Sequence, residues 1–179
     1  MDRTRLMENW LAQCLAGQHV ALAPASADAS FRRYFRATLA DGSTRIVMDA
    51  PPSHEDCRPY LHVARLFHDA GAHVPEIHAE NLAEGFLLLS DLGSTTFLAH
   101  LESDPSEARA TPLYLDAIDA LIRIQQASRP GVLPEYDRER LLRELELFPV
   151  WYVDRHLGHA LTEAEAADLY AVFDRILDA

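Results

Sequence analysis

Ala27-Asp-Ala-Ser-Phe-Arg-Arg-Tyr-Phe-Arg36 is the stretch on which the reading of this chain turns. Four small or polar residues precede a run of mixed aromatic and basic side chains. Aromatic enrichment bounded by small and turn residues reads as a strand. Val20 to Leu22, Phe31 to Thr38 and Thr44 to Met48 read as three strands. Ala40-Asp41-Gly42 is a hairpin signal between the second and third. Strands joined that tightly must run antiparallel. Along the second strand the alternation places Arg33 with Phe31 and Phe35 on one face. Arg32, Tyr34 and Arg36 then occupy the other.

Upstream, Leu6, Met7, Trp10, Leu11, Cys14 and Leu15 recur at helical spacing, and Gly17 stops the pattern. Downstream, Pro51-Pro52 ends the third strand. Asp56 can cap a helix whose first turn tolerates Pro59, because an N–H missing there costs little. Tyr60, Val63, Phe67 and Ala70 form that helix's apolar stripe, and Gly71 terminates it. Val74 to Ala79 reads as a short strand after a proline turn. The continuous apolar run Gly85 to Ser90 reads as a central buried strand. After Gly93 every pattern is helical. Thr111-Pro112 reads as an N-cap followed by proline at the first helical position. Asp137 caps a helix through Phe148, and Thr162 with Glu165 forms a capping box ahead of Leu169 to Leu177. The change from strands to helices near Gly93 implies two layers or lobes joined by Ser90-Asp-Leu-Gly93, with a cleft at the joint.

The chain has 179 residues, 49% of them apolar, which is enough for a core. Its formal net charge is −12. An acidic chain repels phosphate backbones, so nucleic acid is not an expected partner. Any bound phosphate needs a local basic cluster, and Arg32, Arg33 and Arg36 form the densest one. Cys14 and Cys57 are too few for a disulfide framework, which points to a reducing cytoplasm. No apolar run follows Met1-Asp-Arg-Thr-Arg5, so no signal peptide is expected. No window approaches the roughly 20 apolar residues of a membrane span, so no membrane partner is expected.

Small residues between strands let backbone N–H groups approach an anion, and a neighbouring arginine can hold phosphate oxygens in pairs. Taken alone, Ala27 to Arg36 also reads as a plain hairpin with solvated arginines. Asp49 alone reads as a turn residue bonding its own backbone. His54, Glu55, Asp56 and Cys57 look ligand-rich, but adjacent positions do not converge on one ion. Phe148-Pro-Val-Trp-Tyr152 reads first as core, although a sugar can stack on Trp151 or Tyr152.

Asp28-Ala-Ser-Phe-Arg-Arg-Tyr-Phe-Arg36, Val47-Met-Asp-Ala-Pro-Pro52, Glu55-Asp-Cys-Arg-Pro-Tyr60, Gly85-Phe-Leu-Leu-Leu-Ser-Asp-Leu-Gly93 and Glu144-Leu-Glu-Leu-Phe-Pro-Val-Trp-Tyr152, in this order, resemble the aminoglycoside phosphotransferase-like kinases. Within them the strings are most similar to the anomeric N-acetylmuramate/N-acetylglucosamine kinases of bacterial cell-wall recycling. The resemblance implies an α+β chain: a protein-kinase-like small lobe, with an antiparallel sheet and a helix, over residues 1–92, then the first helices of a helical large lobe over 93–179. It implies ATP with magnesium as cofactors and a small amino sugar as acceptor. The implied nucleotide contacts are Asp28, Ala29 and Ser30 over the phosphates, Arg32 or Arg33 on phosphate oxygens, and Leu89, Ser90, Asp91 and Leu92 at the adenine. Asp49 holds the third-strand position where such kinases carry Lys or Arg. A charge-swapped pair is therefore expected, with Arg58 or Arg65 facing Asp49 and a second-strand arginine taking the phosphates. The family's His-x-Asp catalytic loop and its main magnesium ligands are expected beyond Ala179. No catalytic or metal-binding residue is therefore expected in this chain, which reads as the amino-terminal part of a cytoplasmic bacterial enzyme. Self-association through the helices after Gly93 is expected, because an incomplete helical lobe leaves apolar surface uncovered. Two other readings stay open: the same fold acting on choline, an aminoglycoside or another small alcohol, and a non-catalytic nucleotide-binding or interaction module.

Overall fold

Hydrophobic alternation in the first ninety residues builds one antiparallel sheet with a helix on each face. The computed structural model of the chain describes residues 2–27 and 30–179. Helix α1 (Arg3–Cys14) is capped by Asp2, whose carboxylate accepts from the Thr4 amide. Strands β1 (Ala21–Ala27), β2 (Arg33–Thr38) and β3 (Thr44–Asp49) follow, then α2 (Cys57–Asp69), β4 (Ile77–Asn81) and β5 (Phe86–Ser90). The sheet order is β1-β2-β3-β5-β4, and every pairing is antiparallel. The apolar run of β5 is explained by its place: it has a strand on each side and a helix-covered core on each face.

Period-two alternation divides the sheet's side chains into two cores. Met7, Trp10 and Leu11 of α1 pack with Ala37, Val47, Phe86 and Leu88. Cys57 and Leu61 of α2 pack with Met48, Ala50, Leu87 and Leu89. Each fully buried aliphatic or aromatic side chain contributes about 1.5–3 kcal/mol. The first strand is longer than the sequence implies. It runs through Pro24, which is tolerated because β1 is an edge strand with a register shift between Pro24 and Ser26. The second strand starts two residues later than expected, so Phe31 and Arg32 lie before it.

Contacts divide the chain into two compact units, the first ending at Ser128 and the second running from Arg129 to Ala179. The first also holds α3 (Phe97–Ser103) and α4 (Glu107–Ala127). The N-cap of α4 is Ser106, five residues before the expected cap, and Pro112 lies inside the helix. Pro112 lies past the four amides that have no intrahelical partner, so its missing N–H removes the bond to the Ala108 carbonyl. Neither α3 nor α4 buries a residue fully.

The second unit pairs α5 (Arg138–Leu145) with α6 (Glu163–Leu177), and Arg138 bridges Asp174 and Asp178. The capping box of Thr162 and Glu165 is present in both directions. Between these helices lies a π-helical segment, Phe148–His156. Here one expectation is corrected: Phe148, Trp151 and Tyr152 are about half exposed rather than core. The wider π-helical turn instead stacks Phe148 on Tyr152 and Tyr152 near His156, while Arg155 covers the Trp151 ring. Among the described residues no helix is long and apolar enough to cross a membrane.

Candidate functional site

The arginines of Ala27–Arg36 go to three separate places: Arg33 lies on the α1 face, while Arg32 and Arg36 lie on the other, before the start of β2 and along it. Arg33 stands directly across from Asp49 in the β2–β3 register, on the α1 side of the sheet. The Asp49 carboxylate is fully buried and is held by two guanidinium groups. Arg3 donates from Nε to Oδ1 at 2.9 Å and Arg33 from Nε to Oδ2 at 3.0 Å. The Nη2 of each closes a second bond to the same oxygen. Arg3 also donates to the Glu84 carbonyl at 2.7 Å and lies over the Phe86 ring.

This corrects the expected partners of Asp49. Arg58 bonds the α2 cap Asp56, and Arg65 reaches Glu80. Neither can meet Asp49, because α2 covers the opposite face. The expected strand-to-following-helix pair is absent among the described residues, and Asp49 is held instead by arginines of α1 and β2. Arg3 was missed because 46 residues separate it from Asp49, and no local pattern links the two.

Arg32 turns to the α2 side. Its Nε donates to Glu55 Oε2 at 3.2 Å, and the Phe31 amide donates to Glu55 Oε1 at 3.3 Å. The Arg32 amide donates to Ser30 Oγ at 3.2 Å. The Phe31 ring lies 4.3 Å, centroid to centroid, from that of His54. Glu55 thus ties the end of the β1–β2 loop to the segment entering α2. Asp28 and Ala29, the other two residues expected over phosphates, lie outside the described residues. Arg32 also lines a 380 Å³ cavity with Tyr60, Val63, Phe67 and Val74 along α2, which none of residues 89–92 lines.

The third group is at the end of β5. Leu89 is buried in the α2-side core, so its side chain is committed to packing. The Ser90 amide donates to the Glu76 carbonyl, and Ser90 Oγ accepts from the Glu76 amide, each at 2.9 Å. Asp91 accepts from Arg36 Nε at 2.6 Å and Nη2 at 3.2 Å, and from the Gly93 amide at 2.9 Å. Arg36 Nη2 also donates to the Gly93 carbonyl at 3.2 Å. Between these pinned residues Leu92 is 53% exposed. Its amide and carbonyl hold no partner among the described residues.

The Arg36 guanidinium, helped by the Gly93 amide, lowers the Asp91 pKa from 3.8 to about 2. A depressed carboxylate stabilises the fold above its unfolded pKa and loses that contribution as pH falls through the folded value. Wild-type protein is therefore expected to lose this stability between pH 3.8 and about 2. Urea midpoints followed across that range should fall more steeply for wild type than for Asp91→Asn. Parallel curves would remove Asp91 as the titrating group.

The only His-x-Asp string in the sequence is His54-Glu55-Asp56. It stands at the entry to α2, where Asp56 accepts from the Arg58 amide at 2.9 Å as the helix cap and His54 Nδ1 bonds Ser53. Its aspartate is therefore engaged as a capping group.

The model of the phosphotransferase enzyme family matches residues 21–179. Three curated relatives carry the name N-acetylmuramate/N-acetylglucosamine kinase. The Neisseria meningitidis protein is 46% identical over 162 residues, which is 90% of this chain and 48% of its own length. That of Pseudomonas aeruginosa is 50% identical over 166 residues, 87% of this chain and 48% of its own length. That of Pseudomonas putida is 46% identical over 158 residues, 88% of this chain and 45% of its own length. The chain spans about half the length of the curated relatives it matches.

Proposed function

This chain belongs to the phosphotransferase enzyme family, and from that premise we propose that it is the amino-terminal portion of an ATP-dependent sugar kinase. Its acceptor is the anomeric hydroxyl of N-acetylmuramate or N-acetylglucosamine, and its location is the bacterial cytoplasm. Residues 1–92 are the nucleotide-binding small lobe and 93–179 begin the helical lobe. The switch from strand to helix after β5 supports that boundary. The names of relatives 46–50% identical to this chain support the sugar.

The observation that carries the nucleotide reading is Leu92. A residue whose backbone amide and carbonyl are both open, held between pinned neighbours, suits the edge of an adenine. Ser90, Asp91 and Leu89 hold that residue in place rather than touching the base with their side chains. At the phosphate end Arg32 is preferred over Arg33. Arg33 is committed to Asp49 on the α1 face, whereas Arg32 has one carboxylate partner that a phosphate can displace. Asp28, Ala29 and Ser30 cover the phosphates through the backbone. ATP supplies the transferable phosphoryl group, and magnesium neutralises its charge. The residues of this chain bind and orient the nucleotide. The apolar side chains exposed on α3 and α4 support self-association of the chain.

The test uses the full-length protein with ATP and each candidate acceptor, reading ADP release and identifying the product. Phosphorylation at the anomeric position of an N-acetyl amino sugar is the expected result. Turnover of choline or an aminoglycoside alone would move the assignment to another acceptor. Arg32→Ala is expected to weaken ATP binding by about tenfold, one charge-assisted contact, while Arg33→Ala changes it by less than about twofold. The reverse order would hand the phosphates to Arg33.

A further inference from the structure

We propose that Arg36 is a positioning residue for the nucleotide base, acting through Asp91 to hold Leu92, whose backbone amide and carbonyl are both open, in register. The inference rests on the kinase reading and deepens it at the base end of the site.

Arg36 projects from the middle of β2, opposite Ile46, and Ile46 in turn pairs with Leu89. The guanidinium therefore reaches across the end of β3 to the residue just beyond β5. Two of its nitrogens engage both Asp91 oxygens, the fork geometry that only arginine supplies. The same Nη2 holds the Gly93 carbonyl, and Asp91 returns a bond from the Gly93 amide. On the other side, Ser90 is doubly bonded to Glu76. Of the groups flanking Leu92, those on Ser90 tie to β4's approach and those on Asp91 and Gly93 tie to β2. The linker is thus stapled to two non-adjacent strands of the sheet. An exposed linker with a glycine would otherwise sample many backbone states, and binding would have to select one of them. The side chain of Asp91 is only 5% exposed, whereas that of Arg36 is 30% exposed. The clasp is therefore shielded from salt and solvent at its carboxylate end, where the linker is held.

A positioning role differs from a structural one in what it changes. Loss of the clasp should move base recognition and leave the sugar and the chemical step alone. In the full-length protein, Arg36→Met is expected to raise both the ATP Kd by calorimetry and the ATP KM by about tenfold to a hundredfold, the range for a misplaced binding group. Preference for ATP over GTP should narrow. The KM for N-acetylglucosamine and kcat should change by less than about twofold. Arg36→Lys, which keeps the charge without the fork, should fall with Arg36→Met rather than with wild type. Hydrogen exchange at the Gly93 amide without nucleotide should quicken in both variants while β3 and β5 stay protected. An ATP Kd within about twofold of wild type, or a rise in the sugar KM equal to that for ATP, overturns the proposal. So does loss of protection throughout the sheet, because that makes Arg36 a stability residue. A wild-type protein that binds no ATP overturns the kinase reading itself, a result distinct from an active wild type with unaltered variants.

Discussion

Asp49→Ala is expected to destabilise the sheet and its α1 helix by about 3–4 kcal/mol, the lower part of the range for breaking a buried ion pair from one side. The reason is geometric. Asp49 is fully buried, and its two oxygens accept from Arg3 and Arg33. Removing the carboxylate leaves two guanidinium groups facing a void and each other. Half of the Arg33 side chain is exposed and can swing into water, which limits the cost. Arg3 cannot leave so easily: it lies over Phe86 and bonds the Glu84 carbonyl. Trp10 of α1 stacks on Phe86 and is buried, whereas Trp151 is about half exposed. Fluorescence during urea titration therefore reports mainly on this helix–sheet contact. Arg3→Ala should cost less, about 1–2 kcal/mol, because Asp49 keeps Arg33. An Asp49→Ala midpoint within error of wild type would mean that α1 is held by apolar packing alone.

Gly85→Ala is the second large effect, with an expected loss of about 2–5 kcal/mol from a left-handed backbone and a forced shift of packed atoms. Gly85 has φ +73°, and a Cβ there would stand 1.9 Å from the Ala50 carbonyl oxygen. The Ala50 amide meanwhile donates to the Gly85 carbonyl at 2.8 Å, and the Gly85 amide to Asn81 at 2.8 Å. The loop between β4 and β5 is thus pressed against the end of β3, and neither backbone can retreat without losing a bond. Gly42 supplies the control. Its φ is +82°, with open space around its missing Cβ, so Gly42→Ala should cost only about 1–2 kcal/mol, the backbone penalty alone. Equal losses at the two glycines would show that the Ala50 contact relaxes at no cost.

Much of the fold was legible because it is written in short-range periodicity. The cap at Asp56, the stop at Gly71, the buried run of β5 and the capping box at Thr162 all sit where the local pattern places them. The site was less legible. The alternation from Arg32 to Arg36 separates the arginines by face correctly, yet it names no partner for any of them. Glu55 was weighed only as a metal ligand, whereas it holds Arg32 and Phe31. The aromatics of 148–152 follow a core-like composition, but the segment they form is π-helical and half exposed, which hydrophobicity alone does not reveal.

Strand and most helix ends follow from neighbouring residues, because local sterics, capping and the period of burial act over a few positions, and the family follows from the resemblance of the quoted strings. The pairing of Asp49 with Arg3, the clasp of Arg36 on Asp91 and the isolation of Leu92 between Asp91 and Gly93 appear only once the sheet is assembled. Each joins residues 40 or more positions apart or depends on which helix covers which face, and a linear pattern carries no information about the face a distant helix will choose.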